Sequence, residues 1–193
     1  QALQLLDDAI TRDSGVTPAT PSASYVAGLV ELRRGRQDAA DEHFQQAHRR
    51  SLDGPVGLAA QLQAAHIARR RDRFETAVSQ YRAVLESVGD VRNYSNRWVP
   101  LTALKRDLAA SYDDLFARQE YAASATLAEA FRKLFEENYA VQLEAESHVA
   151  WARQLAEAAL NRPQEAAHEA EESRRRYRTA GRLFERLAEL RQS

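Results

Sequence analysis

The stretch GRQDAADEHFQQA, from Gly35 to Ala47, decides the fold predicted for this chain. It places Ala40, Phe44 and Ala47 four and three residues apart, which puts them on one face of an α-helix. Small residues let two helices approach closely, and an aromatic ring fills the space beside them. The stretch therefore predicts a helix packed against a neighbouring helix.

This stripe of small, aromatic and small residues recurs along the chain. Its first position falls at residues 2, 40, 77, 124 and 166, so successive copies begin 38, 37, 47 and 42 residues apart. The other copies are Ala2, Leu6 and Ala9; Ala77, Tyr81 and Val84; Ser124, Ala128 and Phe131; and a weaker Ala166, Ala170 and Ser173. Another segment of helical periodicity precedes each later copy, so the repeated unit is a helical hairpin.

The repeat resembles the tetratricopeptide repeat family, whose unit is a helix-turn-helix of about 34 residues with small and large residues at set positions. The resemblance covers roughly residues 22 to 173 and is clearest in the first two full units. Ser24 and Gln61 stand where the family has a Trp, the units are longer, and the closing Pro is displaced to Pro55. The resemblance implies a right-handed α-solenoid of hairpins that binds peptides or domains along a concave groove.

The predicted fold class is all-α. We expect helices near residues 22–34, 37–51, 56–71, 73–88, 100–118, 121–137, 140–160 and 164–191. We expect residues 1–11 to form the second half of a truncated repeat, residues 12–21 a linker, and residues 22–193 an array of about four hairpins. The stripe continues through Tyr177, Ala180, Phe184 and Leu187, which predicts one long C-terminal helix. Tyr177, Ala180, Gly181 and Phe184 also fit the opening of a further repeat.

Composition supports helices and excludes several classes of function. The chain has 7 Gly and 5 Pro, 27 basic residues against 28 acidic ones, and no Cys. The charge balance gives no field that favours nucleic acid, and no apolar run approaches the roughly 20 residues that span a bilayer. Lys105 and Lys133 are the only lysines, and this preference for Arg indicates a GC-rich, bacterial genome. We expect a soluble fragment of a larger repeat protein, with the cytoplasm and the periplasm both open.

Metal chemistry has one candidate in the sequence. Glu165 and His168 have the Glu-x-x-His spacing of ferritin-like metal sites, with Glu144 and His148 as conceivable partners. A di-iron bundle needs two such pairs and two further Glu residues. We therefore expect no metal, no cofactor and no enzymatic activity. A helical-bundle metal protein or enzyme remains the alternative, as does a purely structural spacer.

The sequence contains three runs of Arg, of which the first two lie at the C-terminal ends of predicted helices and the third lies within the long C-terminal helix. They are Arg33, Arg34 and Arg36; Arg69, Arg70, Arg71 and Arg73; and Arg174, Arg175 and Arg176. Acidic residues accompany each run, and Arg near a helix C-terminus complements the helix dipole. The runs are predicted mainly to be solvated faces, with an acidic or C-terminal carboxylate partner as the other interpretation.

The resemblance places candidate groove residues on the first helix of each hairpin. They are Tyr25, Leu29 and Arg33; Leu62, His66, Arg69 and Arg70; Arg106, Asp113 and Phe116; and His148, Trp151 and Leu155. The family's Lys and Asn clamp for C-terminal carboxylates is not reproduced, because Tyr25 and Leu29 stand where it would begin. The predicted function is a non-enzymatic scaffold for an acidic protein or peptide with apolar anchors. Weak self-association through the apolar face of the C-terminal helix is also expected.

The segment from Asn93 to Leu101, NYSNRWVPL, separates two predicted helices. Pro100 suits the first position of a helix, so the segment is a lengthened junction. Tyr94 and Trp98 are interpreted mainly as packing residues of that junction. The alternative is that they form a binding loop.

Overall fold

A computed structural model describes residues 20–161 and 166–192 of the chain. These residues contain no β-strand, and the prediction of an all-α fold is confirmed for them. The helices are α1 (Pro21–Arg33), α2 (Gln37–Arg49), α3 (Pro55–Arg70), α4 (Phe74–Ser87), α5 (Leu101–Ala117), α6 (Tyr121–Ala130), α7 (Glu137–Asn161) and α8 (Ala166–Leu190). The half-repeat predicted at residues 1–11 and nearly all of the predicted linker lie outside the described residues.

The chain divides into two compact units, with the boundary between Ala103 and Leu104. In the first unit, α1 packs against α2, α3 against α4, and α3 also contacts both α1 and α2. In the second unit, α7 packs against α6 and α8. None of the described helices combines the length and the apolar character needed to cross a membrane.

Three of the hairpins share one turn geometry. Gly35, Asp72 and Gln119 adopt left-handed backbone conformations, with φ of 75°, 56° and 64°. The N–H of the following residue bonds back to the carbonyl five residues earlier, from Arg36 to Glu31 (2.9 Å), Arg73 to Ala68 (3.0 Å) and Glu120 to Leu115 (3.0 Å). This pattern is the Schellman motif, which satisfies carbonyls at a helix C-terminus. Each left-handed residue comes five positions before the first residue of a stripe.

The stripe residues form the packing surface that the sequence predicts. All nine in the three clear copies are fully buried, namely Ala40, Phe44, Ala47, Ala77, Tyr81, Val84, Ser124, Ala128 and Phe131. In the first unit, the ring of Phe44 lies against Gly28 of α1. The stripe therefore fixes α2, α4 and α6 in their units.

The helix predicted at residues 121–137 is shorter than expected, so the prediction of its C-terminal end was wrong. It ends at Ala130 and tightens into a 3-10 helix over Phe131–Lys133, where the N–H of Leu134 bonds to the carbonyl of Phe131 at 2.9 Å. No Gly or Pro marks this change in the sequence. The prediction of one continuous C-terminal helix is confirmed by α8.

Helices α7 and α8 run antiparallel within the second unit. Arg186 near the end of α8 bonds to Glu137 at the start of α7, with Nη2 and Oε1 3.3 Å apart. Farther along, the hydroxyl of Ser173 donates to the carbonyl of Ala152 at 2.8 Å. Ser173 is the third residue of the weak fourth stripe, so that copy also faces a neighbouring helix.

Candidate functional site

The Arg residues at the turns of the first unit make local ion pairs. Arg34 and Arg36 contact the carboxylate of buried Glu31, at 3.2 and 2.8 Å. At the next turn, Nη1 of Arg71 lies 2.7 Å from Oδ1 of Asp38, at the start of α2. These contacts fit the prediction that the runs serve helix ends. Since the pairs are partly exposed, each contributes at most about 1 kcal/mol to stability.

The predicted groove residues of the first unit differ widely in exposure. Tyr25, Leu62 and His66 are buried, so they present little surface to a partner. The ring of Tyr25 packs against Phe44, with centroids 5.7 Å apart. Leu29 is half-buried, while Arg33 and Arg70 are exposed at the C-terminal ends of α1 and α3. The two exposed Arg residues are therefore the ones best placed to meet a partner.

Arg69, one of the predicted groove residues, contacts α4, the second helix of its own hairpin. Its Nε–H donates to the hydroxyl of Tyr81 on α4 at 3.3 Å. Tyr81 is a stripe residue and is fully buried. Helical spacing places Arg69 and Arg70 on neighbouring faces of α3. It does not show that Arg69 is the one that bonds to α4. Arg69 thus links the two helices of its hairpin.

The segment from Asn93 to Leu101 is held to the first unit by hydrogen bonds. The buried side chain of Asn96 donates to the carbonyl of Pro55 at 2.8 Å and accepts from the N–H of Trp98 at 2.9 Å. The hydroxyl of Tyr94 donates to the carbonyl of Val99 at 2.8 Å. The indole of Trp98 meets Tyr25 edge-on, with centroids 5.3 Å apart. These contacts support the interpretation that both aromatic residues pack a junction.

The predicted residues on α5 form no single cluster. Arg106 is exposed and pairs with its neighbour Asp107 at 3.2 Å, and Asp113 is exposed. Phe116 is half-buried, and its ring lies between those of Tyr112 and Tyr121, at centroid distances of 5.9 and 5.2 Å. Phe116 therefore contributes to packing between α5 and α6.

The predicted residues on α7 include a stack with α8. The ring of His148 lies parallel to that of Trp151 at 6.0 Å, and the Arg176 guanidinium sits 3.6 Å from the Trp151 centroid. Burial lowers the pKa of His148, and the nearby charge of Arg176 lowers it further. Leu155, one turn along, is half-buried. Sequence reasoning found His148 and Trp151 but not Arg176, because only the packing of α8 against α7 brings it there.

Among the described residues, those considered for a metal belong to no group of three possible ligands. Glu144 pairs with Arg132, and although burial raises the pKa of Glu144, the charge of Arg132 opposes that shift. Glu165 lies outside the described residues. Within residues 20–161 and 166–192, no group of three His, Asp or Glu side chains could hold a metal ion.

One exposed surface lies outside the predicted groove and loop residues, on α8, the helix through which weak self-association is expected. Tyr177 and Phe184 are 44% and 43% exposed, although both belong to the helical stripe. Beside them lies an open depression, lined among the described residues by Arg175, Arg178, Gly181, Arg182 and Glu185. We call these seven residues the Gly181 surface. The spacing of Tyr177, Gly181 and Phe184 was the available signal, but the sequence does not show which face of α8 is covered.

Comparisons with protein-family models, with curated proteins and with solved structures find no match for this chain.

Proposed function

We propose that this chain is a non-enzymatic scaffold that binds a protein or peptide, built as a tetratricopeptide-like solenoid of helical hairpins. The observation that carries the proposal is the repeated framework, in which three hairpins share the left-handed turn and the fully buried stripe. Stacked repeats of this kind form extended binding surfaces. Buried residues set the geometry that the three hairpins share, so the solvent-facing residues are available for recognition.

The expected partner is acidic and carries apolar anchors. Arg33 and Arg70 are exposed at equivalent ends of α1 and α3, with half-buried Leu29 on α1. Arg guanidinium groups form charge-assisted hydrogen bonds with carboxylates, and these weaken as salt rises. Apolar anchors add affinity that salt does not screen.

The test is selection of a peptide library on the immobilised chain, followed by affinity measurement for the enriched peptides. We expect acidic peptides with apolar residues, and binding at least tenfold weaker to the double variant Arg33→Glu and Arg70→Glu. A tenfold change corresponds to about 1.4 kcal/mol. Arg69 is left unchanged because its bond to Tyr81 would confuse a binding defect with a folding defect.

The matched control is the double variant Arg49→Glu and Arg82→Glu, which makes the same charge change on exposed residues of α2 and α4. Thermal melts of both variants check folding. Equal affinity for both double variants would reject the groove as the binding surface. Enrichment of peptides with no acidic preference would reject the expected chemistry.

A further inference from the structure

We infer that the Gly181 surface of α8 is a docking site for an acidic amphipathic helix that carries an aromatic side chain. None of the predicted groove residues belongs to this surface. The inference therefore stands on its own observations, and its failure would leave the proposed groove untouched.

The centre of the surface is open. A Cβ atom added at Gly181 meets no atom of residues 20–161 and 166–192 within 4 Å, although Gly181 lies inside a helix. Gly in a helix interior costs about 1 kcal/mol relative to Ala, so such a position often serves close approach by another element. Ala188, two turns along the same face, is also small and exposed. Two exposed small residues therefore alternate with the exposed aromatic residues Tyr177 and Phe184.

The first unit contains an occupied example of such a face. Gly28 of α1 receives the ring of Phe44, with Cε1 only 2.6 Å from an added Cβ position. Phe44 belongs to a stripe with Ala40 and Ala47, whose small side chains let α2 lie close to its neighbours. In this chain, a helical Gly on a packing face thus accepts an aromatic ring from a helix with Ala-x3-Phe-x2-Ala spacing.

The charged residues around Gly181 determine which charge the partner should carry. Successive residues of a helix are 100° apart, so Tyr177 and Phe184 lie to one side of Gly181 and Arg178 and Arg182 to the other. Arg175 extends the basic side, and Glu185 is the one acidic residue that lines the depression among the described residues. The ion pair of Arg178 with Glu171 (2.9 Å) is exposed on both sides. In the pair of Arg175 with Glu172 (3.8 Å), Arg175 is exposed and Glu172 is half-buried, so partner carboxylates can compete for both Arg residues.

These features specify how the partner helix lies. Its aromatic side chain sits over Gly181 and contacts Tyr177 and Phe184, while carboxylates along one flank face Arg178 and Arg182. A second copy of this surface would bring a face with three Arg residues and one Glu against an identical face. Like charges opposed across an interface are unfavourable, so an acidic helix is the better occupant.

The experiment uses a synthetic helical peptide with Ala, Phe and Ala at positions i, i+4 and i+7 and Glu along one flank. Its affinity for the whole chain is measured by fluorescence anisotropy at two salt concentrations. We expect salt-dependent binding that weakens at least tenfold in the double variant Arg178→Glu and Arg182→Glu. Gly181→Gln fills the space over residue 181 without changing charge, and it is expected to weaken binding similarly at both salt concentrations.

Two peptides and one variant serve as controls. A peptide with Lys in place of Glu and a peptide with Ala in place of Phe are both expected to bind at least tenfold more weakly. The double variant Arg49→Glu and Arg82→Glu is expected to bind as the native chain does. Thermal melts establish that each variant is folded.

Several results would overturn the inference. One is no binding of the Glu-flanked peptide to the native chain, and another is equal binding to the native chain and to Gly181→Gln. If the Lys-flanked peptide bound as tightly as the Glu-flanked peptide, the inferred preference for an acidic partner would be wrong. A dimer in sedimentation of the native chain that Gly181→Gln dissociates would assign the surface to self-association instead.

Discussion

Gly28 on α1 lies directly against the ring of Phe44 on α2. A Cβ at residue 28 would stand 2.6, 2.7 and 2.9 Å from three atoms of that ring. Phe44 is fully buried and cannot move aside without disturbing its neighbours. Gly28→Ala is therefore expected to destabilise the chain by about 1–3 kcal/mol through overpacking. Urea denaturation measures the change in the free energy of unfolding.

Gly181→Ala is the matched control for this prediction. Gly181 also lies within a helix, but its added Cβ meets no neighbour in the part of the chain that the structure describes. The same substitution should stabilise the chain there by about 0.5–1 kcal/mol, because Ala favours helix more than Gly. Equal effects at residues 28 and 181 would show that the contact between Gly28 and Phe44 does not determine the result.

The turns of the first and third hairpins give opposite predictions for Gly. Gln119 has φ of 64°, a conformation that costs a residue with a Cβ about 1–2 kcal/mol. Gln119→Gly is expected to stabilise the chain by up to about 1 kcal/mol, whereas Gly35→Ala, at φ of 75°, is expected to destabilise it by about 1 kcal/mol. Thermal melts of both variants test these signs. Destabilisation by Gln119→Gly would contradict a left-handed turn at that position.

Much of the hairpin architecture could be predicted from sequence because close packing of helices requires small residues at fixed spacing. Ala40, Ala77 and Ser124 mark this requirement, and all three are fully buried. The predicted helix ends also placed the turns at residue 72 and at residues 119–120, but their left-handed geometry was not predictable, since neither Asp72 nor Gln119 is a Gly. Those turns are specified by the helices on either side more than by their own residues.

The candidate sites were less predictable because they depend on contacts between elements distant in sequence. Arg69 follows the groove pattern, yet it donates a hydrogen bond to Tyr81 within its own hairpin. Arg176 sits in an Arg run, yet its guanidinium stacks on Trp151. Periodicity assigns a residue to a face of its own helix, whereas tertiary packing decides whether that face is open.

The contact between Arg69 and Tyr81 predicts different effects for two adjacent Arg residues. Arg69→Ala removes the bond from Nε–H to the buried Tyr81 hydroxyl and is expected to destabilise the chain by about 1 kcal/mol or more. Arg70→Ala, on an exposed residue, should change stability by about 0.5 kcal/mol or less. A double-mutant cycle with Tyr81→Phe isolates the interaction, and a coupling energy near zero would exclude it.

The final prediction concerns the hydroxyl of Tyr112, which is buried among three helices of the second unit. It lies 3.0 Å from both the Leu143 carbonyl and the Ser147 hydroxyl on α7, and Ser124 of α6 donates to Ser147 at 3.2 Å. Burial raises the pKa of Tyr112 to about 12, although the bond with Ser147 partly opposes that shift. The neutral phenol is thus the form that the folded chain favours.

The direction of the pH dependence follows from this shift. The pKa of Tyr112 is about 10 in the unfolded chain and about 12 in the folded chain, so the unfolded chain loses this proton at lower pH. Its contribution to stability is complete below about pH 10 and is lost as the pH rises toward 12, because the unfolded state then binds fewer protons. Tyr112→Phe should remove this dependence, and at neutral pH should cost about 1 kcal/mol through the lost hydrogen bonds. Urea denaturation at about pH 8, 10 and 11 measures the free energy of unfolding of the native chain and of the variant. Taking the difference between the two cancels the titration of the other Tyr residues. That difference is expected to shrink as the pH rises, and a constant difference would show that the Tyr112 phenol titrates alike in both states.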